Sequence, residues 1–352
     1  QHVKSSLDLC LSCKGCKSDC PVAVDVATYK AEFLSHYYEE RPRPLNHYAF
    51  AHIDRWSRIA SMAPGLANFL SHAPGLRDVA KFAAGIAQQR EVPRFASQSF
   101  RSLAKKRNNA KSSGPPVMLW PDTFNNYFHP ETAIAAVDVL EAAGFAVRLP
   151  RGNVCCGRPL YDFGMLERAK KLLLRTLAML ESEISDGVPI VVLEPSCAAV
   201  FRDEMLNLFP DDTRAQKLAG QVMLLSEFLD KHGKNFTLPE LKRRALVHGH
   251  CHHKSIMKMT AEESVLRKMG IDYQTPAPGC CGMAGAFGFE KDKYATSVAI
   301  GELELLPAVR NAPDDWLIIA DGFSCREQIQ QCTGRSSMHL AEVIQMGLGK
   351  AQ

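Results

Sequence analysis

One series of landmarks runs through this sequence twice, in two units of about 115 residues each, and it restricts the fold more than any other feature. "PVMLWPDT" (116–123) is answered by "RALVHGHC" (244–251), and "FAVRLPRGNVCCG" (145–157) by "IDYQTPAPGCCG" (271–282). "IVVLEPSC" (190–197) is answered by "WLIIADGFSC" (316–325), and "MLLSEFLDKHG" (223–233) by "MHLAEVIQMGL" (338–348). Within each copy, short apolar runs rich in Val, Ile and Leu alternate with longer segments of helical period. That alternation predicts parallel strands with crossover helices. We therefore expect two tandem α/β units, 113–236 and 237–352.

The residues before the repeat read differently. Asp25 is placed to cap a helix whose Val26, Tyr29, Phe33 and Tyr37 share a face. From Pro42 to Gln98 the pattern stays helical, with breaks at the two "APGL" stretches, 63–66 and 73–76. "AKKRNNAKSSGPP" (104–116) has the composition of a solvated linker. The expected fold is mixed: an N-terminal all-α, ferredoxin-like part followed by the two α/β units with parallel sheets. Its divisions are a cysteine loop and helix over 1–40, and a helical spacer and linker over 41–112. A length of 352 residues accommodates that many parts, and 46% apolar residues suffice for ordinary cores.

A net charge of +4 spread over this length argues against a nucleic-acid partner. No apolar run is long enough for a membrane span and no signal peptide opens the chain, so a cytoplasmic protein, peripheral to the membrane at most, is expected. Gln1 in place of an initiator Met suggests a piece of something longer.

Twelve cysteines carry the chemistry. Adjacent pairs and tight CxxC spacings without a secretion signal favour metal ligation over disulfides. Cys10, Cys13, Cys16 and Cys20, followed by Pro21, match C-x2-C-x2-C-x3-C-P, in which three thiolates face one iron–sulfur cubane and the fourth serves another. Only one such run is present, so the companions of both sets are expected upstream of residue 1. Zinc, the alternative, usually combines separated CxxC knuckles or mixes Cys with His. In the second unit Cys251, Cys280, Cys281 and Cys325 all fall beside the predicted strand ends, where open α/β sheets bind ligands, and four thiolates there could hold a [4Fe–4S] cluster. The first unit keeps Cys155, Cys156 and Cys197, with Asp122 or Thr123 near the place of the missing thiol. Three readings stay open for it: an oxygen ligand, an open iron, or no cluster at all. His248, His250, His252 and His253 surround Cys251 as exposed or packing residues, with one or two open to a role as outer hydrogen-bond donors or an occasional ligand. Cys332 stands outside the repeat and reads as structural. Glu227 and Glu342 read as helix-cap or packing residues.

The tandem CCG units resemble the cysteine-rich domains of heterodisulfide reductases and of glycolate oxidase iron–sulfur subunits. With "CKGCKSDCPVAVDVATYKAEFLSHYY" and the helical spacer, the chain is most similar to the carboxy-terminal half of fused FAD-linked D-2-hydroxyacid dehydrogenases, of the D-2-hydroxyglutarate and D-lactate type. The resemblance implies an N-terminal FAD domain on the same polypeptide as partner. It also implies electron transfer from flavin through [4Fe–4S] clusters to an acceptor, a quinone or a redox protein. The family's fuller unit ends in Cys-x2-Cys, whereas Gly322 and Glu194 stand three positions before Cys325 and Cys197. A four-cysteine cluster is therefore expected in place of a five-thiolate one. These residues supply no general base, substrate-clamping arginine or FAD motif, so no catalytic residue is assigned. Two other classes fit less well: a heterodisulfide-reductase-like thiol/disulfide redox protein, and a zinc-stabilised interaction scaffold.

Overall fold

A computed structural model describes residues 2–107 and 114–349. Four parallel strands build the first sheet: β1 (Pro116–Trp120), β2 (Ala146–Arg148), β3 (Ile190–Val192) and β4 (Val222–Met223), in the order β2-β1-β3-β4. Three build the second: β5 (Arg244–Val247), β6 (Asp272–Gln274) and β7 (Leu317–Ile319), in the order β6-β5-β7. A parallel bridge from Ile319 to Met338 extends this sheet at the position β4 holds in its twin. The repeat seen in the sequence is thus a repeat of strand order. Each unit also ends on the same cap: Glu227 accepts the Leu224 N–H at 2.8 Å, and Glu342 the His339 N–H at 2.7 Å.

The two units share a core. Helices Pro130–Ala142 and Leu340–Gly347 pack on each other, and their buried Ala136, Leu140, Ile344 and Val343 join strand residues Val117, Leu119, Ala245 and Val247. Such small and branched side chains at the crossing let two helices approach closely. Polar ties reinforce the seam: Gln345 Nε2 donates to Asp138 Oδ2 at 2.7 Å, and Glu194 Oε2 accepts the Phe323 N–H at 2.8 Å.

His129 spans the same seam, 2.9 Å from Glu131 and 3.4 Å from Glu327. Burial pushes its imidazolium down, but the two carboxylates outweigh that and raise its pKa to about 9. A raised histidine pKa stabilises the fold fully below the unfolded value near 6.5 and loses that contribution as pH climbs through 9. With the side chain a third exposed, screening limits the effect to about 1–2 kcal/mol. Urea unfolding at pH 6 and pH 9.5 should show this difference, and His129→Gln should shrink it; an unchanged difference in the variant would assign the slope elsewhere.

The N-terminal part is helical where described up to residue 83, with helices at Val26–Tyr37, Leu45–Ala51, Ile53–Ala60, Pro64–His72 and Leu76–Ala83. Asp25 caps the first of these, accepting the Thr28 N–H at 3.0 Å. Two expectations change. The buried face of that helix is Ala27, Ala31 and Leu34, while Tyr29 is exposed. The small alanines let the helix lie close against Tyr161 and Leu166, an approach that bulky side chains would prevent. Residues 84–99 hold no helix; they run along the second unit, where buried Arg90 donates to Gly288 O at 2.7 Å and Ser297 Oγ at 3.0 Å. The centre of the proposed linker, 108–113, lies outside the described residues.

Candidate metal centre

Both CCG motifs form the same turn. The glycine takes a positive φ, 80° at Gly157 and 83° at Gly282, a region that only glycine enters freely. This turn returns its N–H to the first thiol of the pair: Gly157 N to Cys155 Sγ at 3.4 Å, and Gly282 N to Cys280 Sγ at 3.3 Å. At Gly282 a Cβ would fall 2.0 Å from Ser297 O, so the helix packed behind it also excludes any side chain.

In the second unit Cys251 follows β5, Cys280 and Cys281 follow β6, and Cys325 lies in the first turn of the helix Phe323–Thr333 after β7. Cys251 Sγ lies 3.4 Å from Cys280 Sγ, and Cys281 and Cys325 are buried beside them. The protons are shared unequally. Hydrogen bonds from Cys251 and Cys281 hold the Cys280 thiol low, and Cys281 with His248 holds Cys325 low. Contact with Cys280 and burial push Cys251 and Cys281 up. Four thiols held this close suit a cation that binds thiolate, and binding it releases their protons. This donor set fits an all-cysteine metal centre.

A fifth thiol has no room. A Cβ at position 322 would lie 2.3 Å from His250 Cδ2, so Gly322 is required while His250 occupies its place. Its counterpart Glu194 is spent on structure, accepting the Ser196 N–H at 3.2 Å and, across the seam, the Phe323 N–H.

The first unit brings Cys156 Sγ to 3.0 Å from Cys197 Sγ, with Cys155 alongside and all three buried. Asp122 and Thr123 line the same cavity as these thiols, yet the Asp122 oxygens are committed, accepting from Phe124 N and Asn125 N at Oδ1 and from Asn125 Nδ2 at Oδ2, 2.8 Å away. Burial, with Glu194 nearby, raises this carboxyl to about 6.

The N-terminal loop enters the same place. Cys10 and Cys13 line a cavity of about 260 Å3 together with Cys155, Cys156, Cys197, Cys251, Cys280 and Cys281. Its thiols also receive amides: Ser12 N to Cys10 Sγ and Val26 N to Cys16 Sγ, each at 3.4 Å. Cys20 is set apart, its thiol lowered by the N–H groups of Val24, Val22 and Ala23. Cys16, Cys20 and Cys325 do not reach that cavity's wall. Cys332 lies away from it, 3.9 Å from Arg90 Nη1.

Hydrogen bonds dock the loop on the second unit. His252 is buried and neutral, because burial and then Arg158 push its pKa well down, and its Nε2 donates to Ser12 O at 3.0 Å. Ser255 Oγ lies 3.2 Å from Cys13 O and 2.6 Å from Cys251 O. All four histidines of "HGHCHH" are buried, none exposed. His253 Nδ1 faces Glu262 at 3.3 Å, in a buried group with Asp321 that ties the ends of β5 and β7 to helix Thr260–Lys268.

Sequence reasoning missed the residues that fasten the loop to the first unit. Lys14, fully buried, pairs with Asp25 at 2.5 Å, Asp203 at 2.9 Å and Glu204 at 3.5 Å. Arg158 adds a contact to Glu204 at 2.6 Å. A lysine inside a cysteine loop reads as an exposed charge, and nothing in the local sequence marks this one as buried.

The cysteine-rich CCG domain pattern matches residues 122–202 and 246–330, which contain both thiol groups just described. Lactate utilization protein A of Bacillus velezensis is 30% identical over 243 residues, spanning 98% of that protein and 65% of this chain. The chain belongs to the CCG cysteine-rich domain family. D-2-hydroxyglutarate dehydrogenase of Escherichia coli K12 is 25% identical over 97% of this chain and 34% of its own length. One subunit of the anaerobic glycerol-3-phosphate dehydrogenase of the same organism is 25% identical, over 88% of this chain and 79% of its own length. The chain thus spans about a third of the length of the first of these dehydrogenases. No helix among the described residues is long and apolar enough to cross a membrane.

Proposed function

We propose that this CCG chain is the iron–sulfur electron-transfer portion of an FAD-dependent D-2-hydroxyacid dehydrogenase. In this reading Cys251, Cys280, Cys281 and Cys325 hold a [4Fe–4S] cluster. Cys10, Cys13 and Cys16 contribute to a ferredoxin-type centre, and Cys20 contributes to another. The observation that carries the reading is the convergence of the loop's Cys10 and Cys13 with Cys251, Cys280 and Cys281 on one cavity wall, the loop being held there by the His252 hydrogen bond to Ser12 O. Electron transfer weakens steeply with distance, so two redox centres gain from a short route built of bonds and hydrogen bonds.

A [4Fe–4S] cluster, when bound, exchanges one electron at a potential set by burial and by hydrogen bonds to its sulfurs. The amides on Cys10, Cys16, Cys155 and Cys280 are such bonds. Phe124 stacks on Phe323 at 4.1 Å, and Phe128 packs beside both, giving the cavity a water-excluding wall. A partner surface is also supported. Among the described residues, nine of the seventeen exposed large apolar side chains, Trp56, Met62, Phe69 and Phe82 among them, fall between residues 56 and 82. Such clustering marks an interaction surface, and this reading gives it to the flavin-bearing part.

Anaerobic purification tests the proposal. Iron and acid-labile sulfide in equal amounts, with an EPR signal after reduction, are expected. Zinc without sulfide would overturn it in favour of a scaffold. The chain alone should not oxidise D-2-hydroxyglutarate or D-lactate, and turnover without a flavoprotein would refute the division of labour.

A further inference from the structure

On its outer side Cys155 borders a second pocket of about 320 Å3, chemically unlike the aromatic one. Three helices carry arginines to it: Arg55 and Arg58 from Ile53–Ala60, Arg101 from Phe100–Lys106, and Arg175 from Leu166–Met179. Asp54 is the only carboxylate on the wall. Among the described residues no ion pair holds any of the four arginines; the Arg101 guanidinium donates only to a carbonyl, Pro150 O at 2.8 Å.

Four guanidinium groups against one carboxylate leave a net charge of about +3 on a concave wall. Like charges gathered this way repel, and a concave low-dielectric wall focuses their field on whatever anion enters. Arginine's planar fork matches carboxylate and phosphate oxygens two at a time, which a lysine would not do. The volume lies in the lower part of the range for small-molecule sites, about 300–1,000 Å3, too small for a protein surface to enter.

We propose that this pocket binds a small, multiply charged oxyanion, a di- or tricarboxylate or a phosphate ester, seated on Arg58, Arg101 and Arg175 beside Cys155. The bound anion would cover the outer approach to the first-unit thiols. The proposal stands on the arginine wall alone and needs no metal in the neighbouring sites.

Calorimetric titration at fixed ionic strength tests it, using citrate, succinate and inorganic phosphate as probes and chloride as control. Saturable binding of at least one oxyanion is expected, at least tenfold weaker in the double variant Arg58→Gln/Arg175→Gln. Both side chains are exposed and their removal relieves charge repulsion, so the melting temperature without anion should not fall, which separates lost binding from lost folding. A preference for citrate or succinate would identify a carboxylate ligand, and a preference for phosphate a phosphate ester. Absence of saturable binding by the unaltered protein, or equal binding by the double variant, would overturn the proposal.

Discussion

Lys14→Ala is expected to lower the unfolding free energy by about 3–5 kcal/mol, the usual result of removing one partner from a buried ion pair. Its ammonium is fully buried between Asp25, Asp203 and Glu204, so the variant leaves carboxylates facing one another without water. Lys17 also reaches Asp203, but it is a third exposed and cannot replace the charge inside. Arg158 compensates only Glu204. Because Lys14 sits between Cys13 and Cys16, the variant should also release the cysteine loop from the first unit. Chemical denaturation measures the first effect, and hydrogen exchange at residues 10–20 the second. A loss below about 1 kcal/mol would mean that Arg158 and Lys17 suffice, and would reduce Lys14 to a surface-type pair.

The second large effect is on metal content. Cys281→Ser should remove the cluster proposed for the second unit, lowering iron by about four atoms per chain, because a [4Fe–4S] centre needs its four thiolates. Cys156→Ser should cost less iron. Its unit has three thiols, and Asp122 on the same cavity wall has spent its oxygens on a helix cap and on the Asn125 amide. Iron and sulfide counts on the two variants decide the matter. Equal losses would show that the first unit also carries a cluster.

Much of this could be read in advance. The duplication, the parallel strands and the caps at Asp25, Glu227 and Glu342 all follow from sequence patterns, since period and cap chemistry act over a few residues. The failures were long-range. Tyr29 and Phe33 looked like the inner face of their helix on hydrophobicity alone, but the close approach of Tyr161 selected the alanines. Residues 84–99 have helical composition, yet Arg90 is drawn into the second unit by acceptors almost two hundred residues away. The missing fifth thiol was visible as Gly322; its cause, the ring of His250, was not.

By itself the amino-acid order determined two copies of an α/β unit with thiols at their strand ends, because strand period and turn chemistry are local properties. Tertiary structure alone decided that the N-terminal cysteine loop meets the second unit's thiols, that Lys14 anchors it, and that both units share one core. Those outcomes depend on burying charge and apolar surface between segments far apart in the chain, where only packing determines which groups meet.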